Sequence, residues 1–412
     1  MAEKVPNAKP VTPPLQRSRV VSLDALRGFD LFLLCGFTGI YGSLMNGPLS
    51  KFIEGSKFWE TLQYQICEHS DWEGFTLHDL IMPLFMFMSG VTICYSMAKY
   101  KKSEQNPTPS RLRFWCRLIR RILLLWIFGM IAQGNLLNLR WQGLRLYSNT
   151  LQAIAAGYLI AVACYFLVKK WGQAIVAVVL LFIFWAAMTW IKAGDCGGGS
   201  FDKWTNLAEW IDRTVLGRWM DGVSFADDGT WSFSENYHYT WILSSLTFGV
   251  TAISGLIGGE IIKSRTDAGK SGHLTSLILM MLGAICSVAG WYWGKIPQGT
   301  FGYCPLIKHL WTPSMVLYAS GLSYILLGIF HEIYDVLHIP LLKTFLLVIG
   351  TNSILIYMLP HFVNFNAIAA NITRGLEHHI GNWYTPLPSI LGFAFTWLFL
   401  WTLYKHKKFL RL

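Results

Sequence analysis

Apolar blocks about 20 residues long, the length that crosses roughly 30 Å of hydrocarbon, recur along this chain between polar connections. They run from Asp24 to Met45, Phe75 to Met97, Ile119 to Leu139, Ser148 to Val168 and Gln173 to Ile191. Five more follow, at Trp241 to Ile262, Leu274 to Trp293, Pro313 to Ile333, Leu341 to His361 and Pro388 to Tyr404. The pattern predicts an all-α polytopic membrane protein with about ten transmembrane helices.

Composition agrees. Hydrophobic residues make up 53% of the 412 positions and charged residues 14%, too little polar surface to cover a soluble fold of this size. The bilayer is therefore the first expected partner. Lysine and arginine collect in short cytoplasmic loops, which orients the helices. The tail carries Lys4, Lys9, Arg17 and Arg19, and the second connection carries Lys99, Lys101, Lys102, Arg111, Arg113, Arg117, Arg120 and Arg121. Counting alternately, Lys169 and Lys170, then Lys263, Arg265 and Lys270, and finally Lys405, Lys407, Lys408 and Arg411 fall on the same side. Both termini are expected in the cytoplasm, with the loop 192–240 outside. The formal charge of +11 is then topological, and no nucleic-acid partner is expected.

Residues 1–20, rich in proline, read as a disordered cytoplasmic tail, and residues 21–412 as a single transmembrane domain. The first apolar block carries Asp24, Arg27 and Asp30 and so reads as a retained helix, not a cleaved signal. Leu207, Trp210, Ile211, Val215 and Leu216 recur at helical spacing in the outer loop and predict a surface-lying helix over Trp204 to Trp219. Of eight cysteines, Cys116 falls near the expected cytoplasmic face, and Cys67, Cys196 and Cys304 fall in connections expected on the outer side, where one disulfide of undetermined pairing could form.

Polar groups in or beside the spans carry the chemistry. His69 precedes a long apolar helix, and Asp79, a carboxylate costly to bury without a partner, directly precedes the run from Leu80 to Gly90. Asp24 and Arg27 lie one turn apart at a cytoplasmic helix end, where they can pair or jointly bind a phosphorylated ligand. Asp30 lies deeper. Asn149, Gln152, Lys308, His309, Trp311 and Asn352 lie at or within other span ends, where a single amide commonly serves as interhelical glue.

His69, Trp72, Gly74, Thr76, Asp79, Leu80, Pro83, Phe85, Phe87 and Gly90 are spaced in a way that resembles the signature of the heparan-α-glucosaminide N-acetyltransferase family of transmembrane acyltransferases, whose bacterial members are of about this size. The stretch from Ser22 to Asp30 resembles the family's first-span motif, Thr150 to Ala155 its "LQRIA" stretch, Asn206 to Gly217 its external "IDR" segment, and Lys308 to Ser314 its "KKLWT" segment.

The resemblance implies acetyl transfer from cytosolic acetyl-CoA to an amino sugar or glycan end across the membrane, in a bacterial inner membrane, with no metal and with a homodimer as a further expectation. It makes His69 the central histidine and Asp79 its carboxylate. Asp24, Arg27, Lys308 and Trp311 are expected at the acetyl-CoA site, and Trp72, Asn149, Gln152 and Asn352 at the acceptor site. Thioester chemistry agrees, since it needs a nucleophile or base of near-neutral pKa, and a carboxylate can fix the imidazole tautomer. The competing reading is a sugar or lipid transporter or flippase, with the charges of the first two spans as a coupling site.

Overall fold

The computed structural model describes residues 20–101, 108–133, 136–137, 143–235 and 239–410. The expected tail, with Lys4, Lys9, Arg17 and Arg19, and also Lys102 and Arg411, lie outside the described residues. In chain order the principal helices are α1 (Val21–Asn46), α2 (His78–Ser96), α3 (Arg111–Ala132), α4 (Thr150–Leu167), α5 (Lys170–Trp190) and α6 (Leu207–Leu216). They continue with α7 (Ser245–Asp267), α8 (Gly272–Trp293), α9 (Pro313–Val336), α10 (Lys343–Gly350), α11 (Ser353–His361) and α12 (Leu387–Lys405). The chain is an all-α polytopic membrane protein.

Among the described residues, eight of these helices are long and apolar enough to cross a membrane, and α10 with α11, bent by 72° at their break, counts as a ninth. The predicted span over Ile119 to Leu139 falls on α3, which is helical but more polar, because Arg117, Arg120 and Arg121 lie inside it. Its outward stripe is nonetheless apolar: Leu112, Trp115, Ile119, Leu123 and Ile127 are exposed at helical spacing, as on a lipid-facing helix. Arg121 leaves that stripe and lies over the Tyr158 ring of α4, 4.2 Å from its centroid.

α2 and α7 form the centre of the bundle. Helices gain little from apolar burial against apolar lipid, so close backbone approach must hold them together. Gly90 of α2 lies against the backbone of Ala252, and Gly255 of α7 against that of Phe87; a Cβ at either position would collide with the facing carbonyl. α7 also packs on α4 and α5, α8 on α9, and α1 on α10. Met86, Phe87, Met88, Tyr158 and Ala252 are fully buried where these helices meet.

α1 is interrupted by a π-helical turn, Leu33–Phe37, that begins three residues beyond Asp30. Such turns often mark functional sites. In the outer loop, α6 is shorter than the predicted helix because Asn206 caps its start, accepting from the Glu209 N–H, and Gly217 ends it. Leu207 and Leu216 are buried, whereas Trp210 and Val215 face outward. The buried Asp212 carboxylate accepts from the N–H groups of Trp241, at 2.6 Å, and Ile242, at 3.0 Å, tying α6 to the approach to α7. All eight cysteines are free thiols.

Candidate active site

The loop from Glu68 to Leu77 wraps around one carboxylate. Asp79 Oδ2 accepts from the Ser70 N–H at 3.2 Å, the Ser70 hydroxyl at 2.9 Å and the Thr76 N–H at 3.0 Å. The Thr76 hydroxyl donates to the Glu68 carbonyl at 2.7 Å, closing the loop on itself. Asp79 is fully buried, yet every donor a carboxylate needs is supplied by ten neighbouring residues. Its other oxygen, Oδ1, lies 2.7 Å from His69 Nδ1.

A third group arrives from far along the sequence. The chain from Pro305 to Ser314 is zipped to the histidine loop by a 2.8 Å hydrogen bond from the Gly74 N–H to the Leu306 carbonyl and by a bridge between Glu73 and Ile307. The Lys308 carbonyl accepts from the Trp311 N–H, making a tight turn. Trp311 holds that turn in the left-handed region at φ 53°, a conformation that needs external support. It has that support in its indole N–H, which donates to Thr251 at 3.1 Å, and in edge-on packing against Phe248. The turn delivers Lys308 Nζ to 3.1 Å from Asp79 Oδ1 and 3.0 Å from His69 Nδ1.

Two proton placements fit these distances: Nδ1–H donating to Asp79 with the ammonium on the same carboxylate oxygen, which leaves a lone pair on Nε2, or the ammonium donating to Nδ1 with the proton on Nε2. Base or nucleophile chemistry at Nε2 uses the first. Asp79 and Lys308 are inaccessible, with side-chain exposures of 0% and 5%, while His69 is 46% exposed. Of these three groups, the imidazole is the one exposed enough to meet a substrate. Burial pushes the Lys308 ammonium pKa down, and the charge of Asp79 opposes that shift.

Aromatic rings surround the triad. His78 lies 4.5 Å from His69, centroid to centroid, and its Nδ1 is 3.1 Å from the Ile66 carbonyl. His309 is sandwiched between Trp72, at 5.3 Å, and Tyr239, at 4.2 Å. Burial, reinforced by the Lys308 charge, holds the His309 pKa at about 4, so this ring is neutral at pH 7. Burial pushes the Tyr239 hydroxyl up to about 12, with Asp79 adding to the shift.

His69, His78, Lys308, Asn149, Tyr357 and Asp30 line a cavity of about 330 Å³. A second cavity, of about 670 Å³, opens at the opposite ends of the same helices and is lined by Asp24, Arg27, Arg121, Lys263 and Thr351. Phe85 of α2 and Ile154 of α4 belong to both walls. The two chambers therefore abut across an apolar partition.

The expected site residues divide between these places. Asp24 and Arg27 form a 3.5 Å ion pair in the larger cavity. Lys308 does not join them; it belongs to the His69 chamber. Trp311 is 2% exposed and serves the turn behind Lys308. Asn149 caps α4 and faces the His69 chamber, with its amide 3.3 Å from the Tyr357 hydroxyl. Gln152 completes the cap: its Oε1 accepts from the Ser148 and Asn149 N–H groups and its Nε2 donates to the Leu146 carbonyl. Its oxygen and one of its two amide N–H donors are thereby held within the cap. Trp72 donates to the Phe201 carbonyl at 3.0 Å and stacks on His309. Asn352 lies at the α10–α11 break by the larger cavity, bonding Leu410 and Lys408 of the C-terminal segment. His78, Tyr239 and Tyr357 carried no sequence signal of their own, since each is an ordinary span-end residue until the fold brings it to His69.

No family model matches the chain. It is similar to heparan-alpha-glucosaminide N-acetyltransferase of Mus musculus, 24% identical over 447 residues that cover 97% of this chain and 62% of the relative. It is also similar to the Homo sapiens protein of the same name, 25% identical over 392 residues that cover 82% of this chain and 52% of the relative. The chain thus spans about half to three fifths of the length of these curated relatives. These distant likenesses support the family whose motifs the sequence resembles.

Proposed function

We propose that this chain is a transmembrane N-acetyltransferase of the heparan-α-glucosaminide type, which takes acetyl from acetyl-CoA at the arginine-lined cavity and gives it to an amino sugar in the His69 chamber. The observation that carries this reading is the half-exposed His69 imidazole, held by a buried carboxylate–lysine pair in a chamber that shares apolar wall residues with a basic cavity. An acyl group needs a nucleophile or base of near-neutral pKa in a shielded place, and His69 is the side chain that offers one there. The resemblance to shorter bacterial relatives further suggests a bacterial inner membrane, with the arginine-lined cavity facing the cytoplasm.

On this reading Lys308 belongs to the histidine's support and not to the CoA site. Arg27, Arg121 and Lys263 are the cations suited to CoA phosphates. Arg27→Ala is expected to raise the KM for acetyl-CoA about tenfold, consistent with the roughly 1.5–3 kcal/mol of a charged hydrogen bond, and to leave the KM for the sugar nearly unchanged. Equal loss for both substrates would mark Arg27 as a structural anchor.

The direct test is to incubate detergent-purified protein with labelled acetyl-CoA and a panel of amino sugars, with acetylated sugar as the expected product. Two chambers stacked end to end also suit a carrier. Accumulation of sugar in vesicles without acyl-CoA, and no acetylated product, would favour that second reading.

A further inference from the structure

Asp30 is unlike every other carboxylate of the bundle core. It lies six residues beyond Asp24 on α1, about 9 Å deeper at 1.5 Å per residue, and is fully buried. Asp79 is buried with a full set of donors and Asp24 has Arg27, but neither oxygen of Asp30 has a hydrogen-bond partner among the described residues. Asp30 nevertheless lines the His69 chamber. A bare carboxylate at this depth costs several kcal/mol if ionised, and a helix gains nothing from keeping it. A π-helical turn begins three residues further on, at Leu33.

What the position lacks is a cation, and the chamber is open to one. Its other polar lining includes Asn149 and Tyr357, whose side chains are bonded to each other, the imidazoles of His69 and His78, and Gln133, Ser148, Thr150, Tyr239 and Trp241, none of them a carboxylate. Lys308, the lysine in the chamber's lining, is committed to Asp79 at 3.1 Å. A cavity of about 330 Å³ is at the small end for ligand sites and is lined by both His69 and Asp30, which suits a ligand the size of a single sugar ring.

We propose that Asp30 is the specificity-determining residue that recognises the acceptor's amino group, accepting hydrogen bonds from a sugar ammonium as it enters the His69 chamber. The identity of that amine rests on the acetyltransferase reading. A neutral hydroxyl in the same place leaves the carboxylate charge unmatched, so Asp30 selects amino sugars against their hydroxyl counterparts.

The test uses full-length detergent-purified protein and two probes, glucosamine and glucose, with binding read by calorimetry. The wild type is expected to prefer glucosamine by at least about tenfold, as for a charged hydrogen bond. Asp30→Asn, nearly identical in shape, is expected to abolish that preference while glucose affinity stays unchanged, and to raise the KM for glucosamine without moving the KM for acetyl-CoA. Asp30→Ala is the second variant: both should melt no lower than the wild type, because removing an unpartnered buried carboxylate removes a cost. Undiminished preference for glucosamine in Asp30→Asn overturns the proposal, as does a lowered melting temperature in both variants with the preference intact. If the preference vanishes as expected but no acetylated product forms from labelled acetyl-CoA with the wild type, the acetyltransferase reading fails and the ammonium site stands.

Discussion

His69→Ala is expected to express, remain monodisperse in detergent and still bind CoA, yet to lose acetyl transfer by at least about 10²-fold, the low end for acid–base catalysis. Interactions made at the transition state do not hold the protein together, and His69 contributes little to packing: nearly half of its side chain is exposed. The support beneath it stays satisfied after the substitution, because Asp79 keeps Ser70, Thr76 and Lys308 as donors. The measurement is product formation from labelled acetyl-CoA, beside size-exclusion profiles of both proteins. If single-turnover labelling deposits acetyl on wild-type protein and not on the variant, His69 acts as nucleophile; if neither is labelled, it acts as base. Near-wild-type transfer by His69→Ala would remove the proposed chemistry altogether.

Disruption of the pair below the imidazole is expected to damage the fold as well as the activity. Removing one member of a buried ion pair leaves the other charge uncompensated, at a typical cost of about 3–5 kcal/mol. Asp79→Ala strands a lysine that is 5% exposed, together with the Ser70 and Thr76 donors, and should show the larger loss of melting temperature. Lys308→Met should cost less, since Asp79 retains its other donors. The double variant Asp79→Ala, Lys308→Met is expected to be more stable than the sum of the two losses predicts, because residues in one network are not additive, while recovering no activity. Strict additivity in thermal melts would mean that the 3.1 Å contact contributes no coupling.

The spans were legible because apolar length is a local property. α3 was read correctly as helix, but three arginines make it less apolar than its neighbours, and only the fold shows Arg121 turned onto Tyr158 and into a cavity. His69 and Asp79 could be paired from sequence because they flank one short loop. Lys308 could not, since it lies 239 residues from its partner and its placement depends on a loop-to-loop bridge. Trp311 and Gln152 illustrate a different difficulty. Both are polar-capable residues beside site residues, which suggested ligand contact. In the fold the indole braces a left-handed turn and the amide closes a helix cap. The cap was readable, since an asparagine followed three positions later by glutamine is a helix-start pattern. The turn was not, because nothing local announces a tryptophan at positive φ.

The partition formed by Phe85 and Ile154 has an electrical consequence. Each elementary charge moved through 100 mV of membrane potential exchanges about 2.3 kcal/mol with the field, so a water-filled connection between the chambers would short-circuit the gradient whenever it opened. The proposed acetyl transfer is itself not electrically silent: breaking the thioester leaves a thiolate that takes up a proton on the donor side, and acylation of the ammonium releases protons on the acceptor side. Each turnover across the wall of Phe85 and Ile154 would then carry the equivalent of one positive charge through the field, and the rate would respond to the membrane potential.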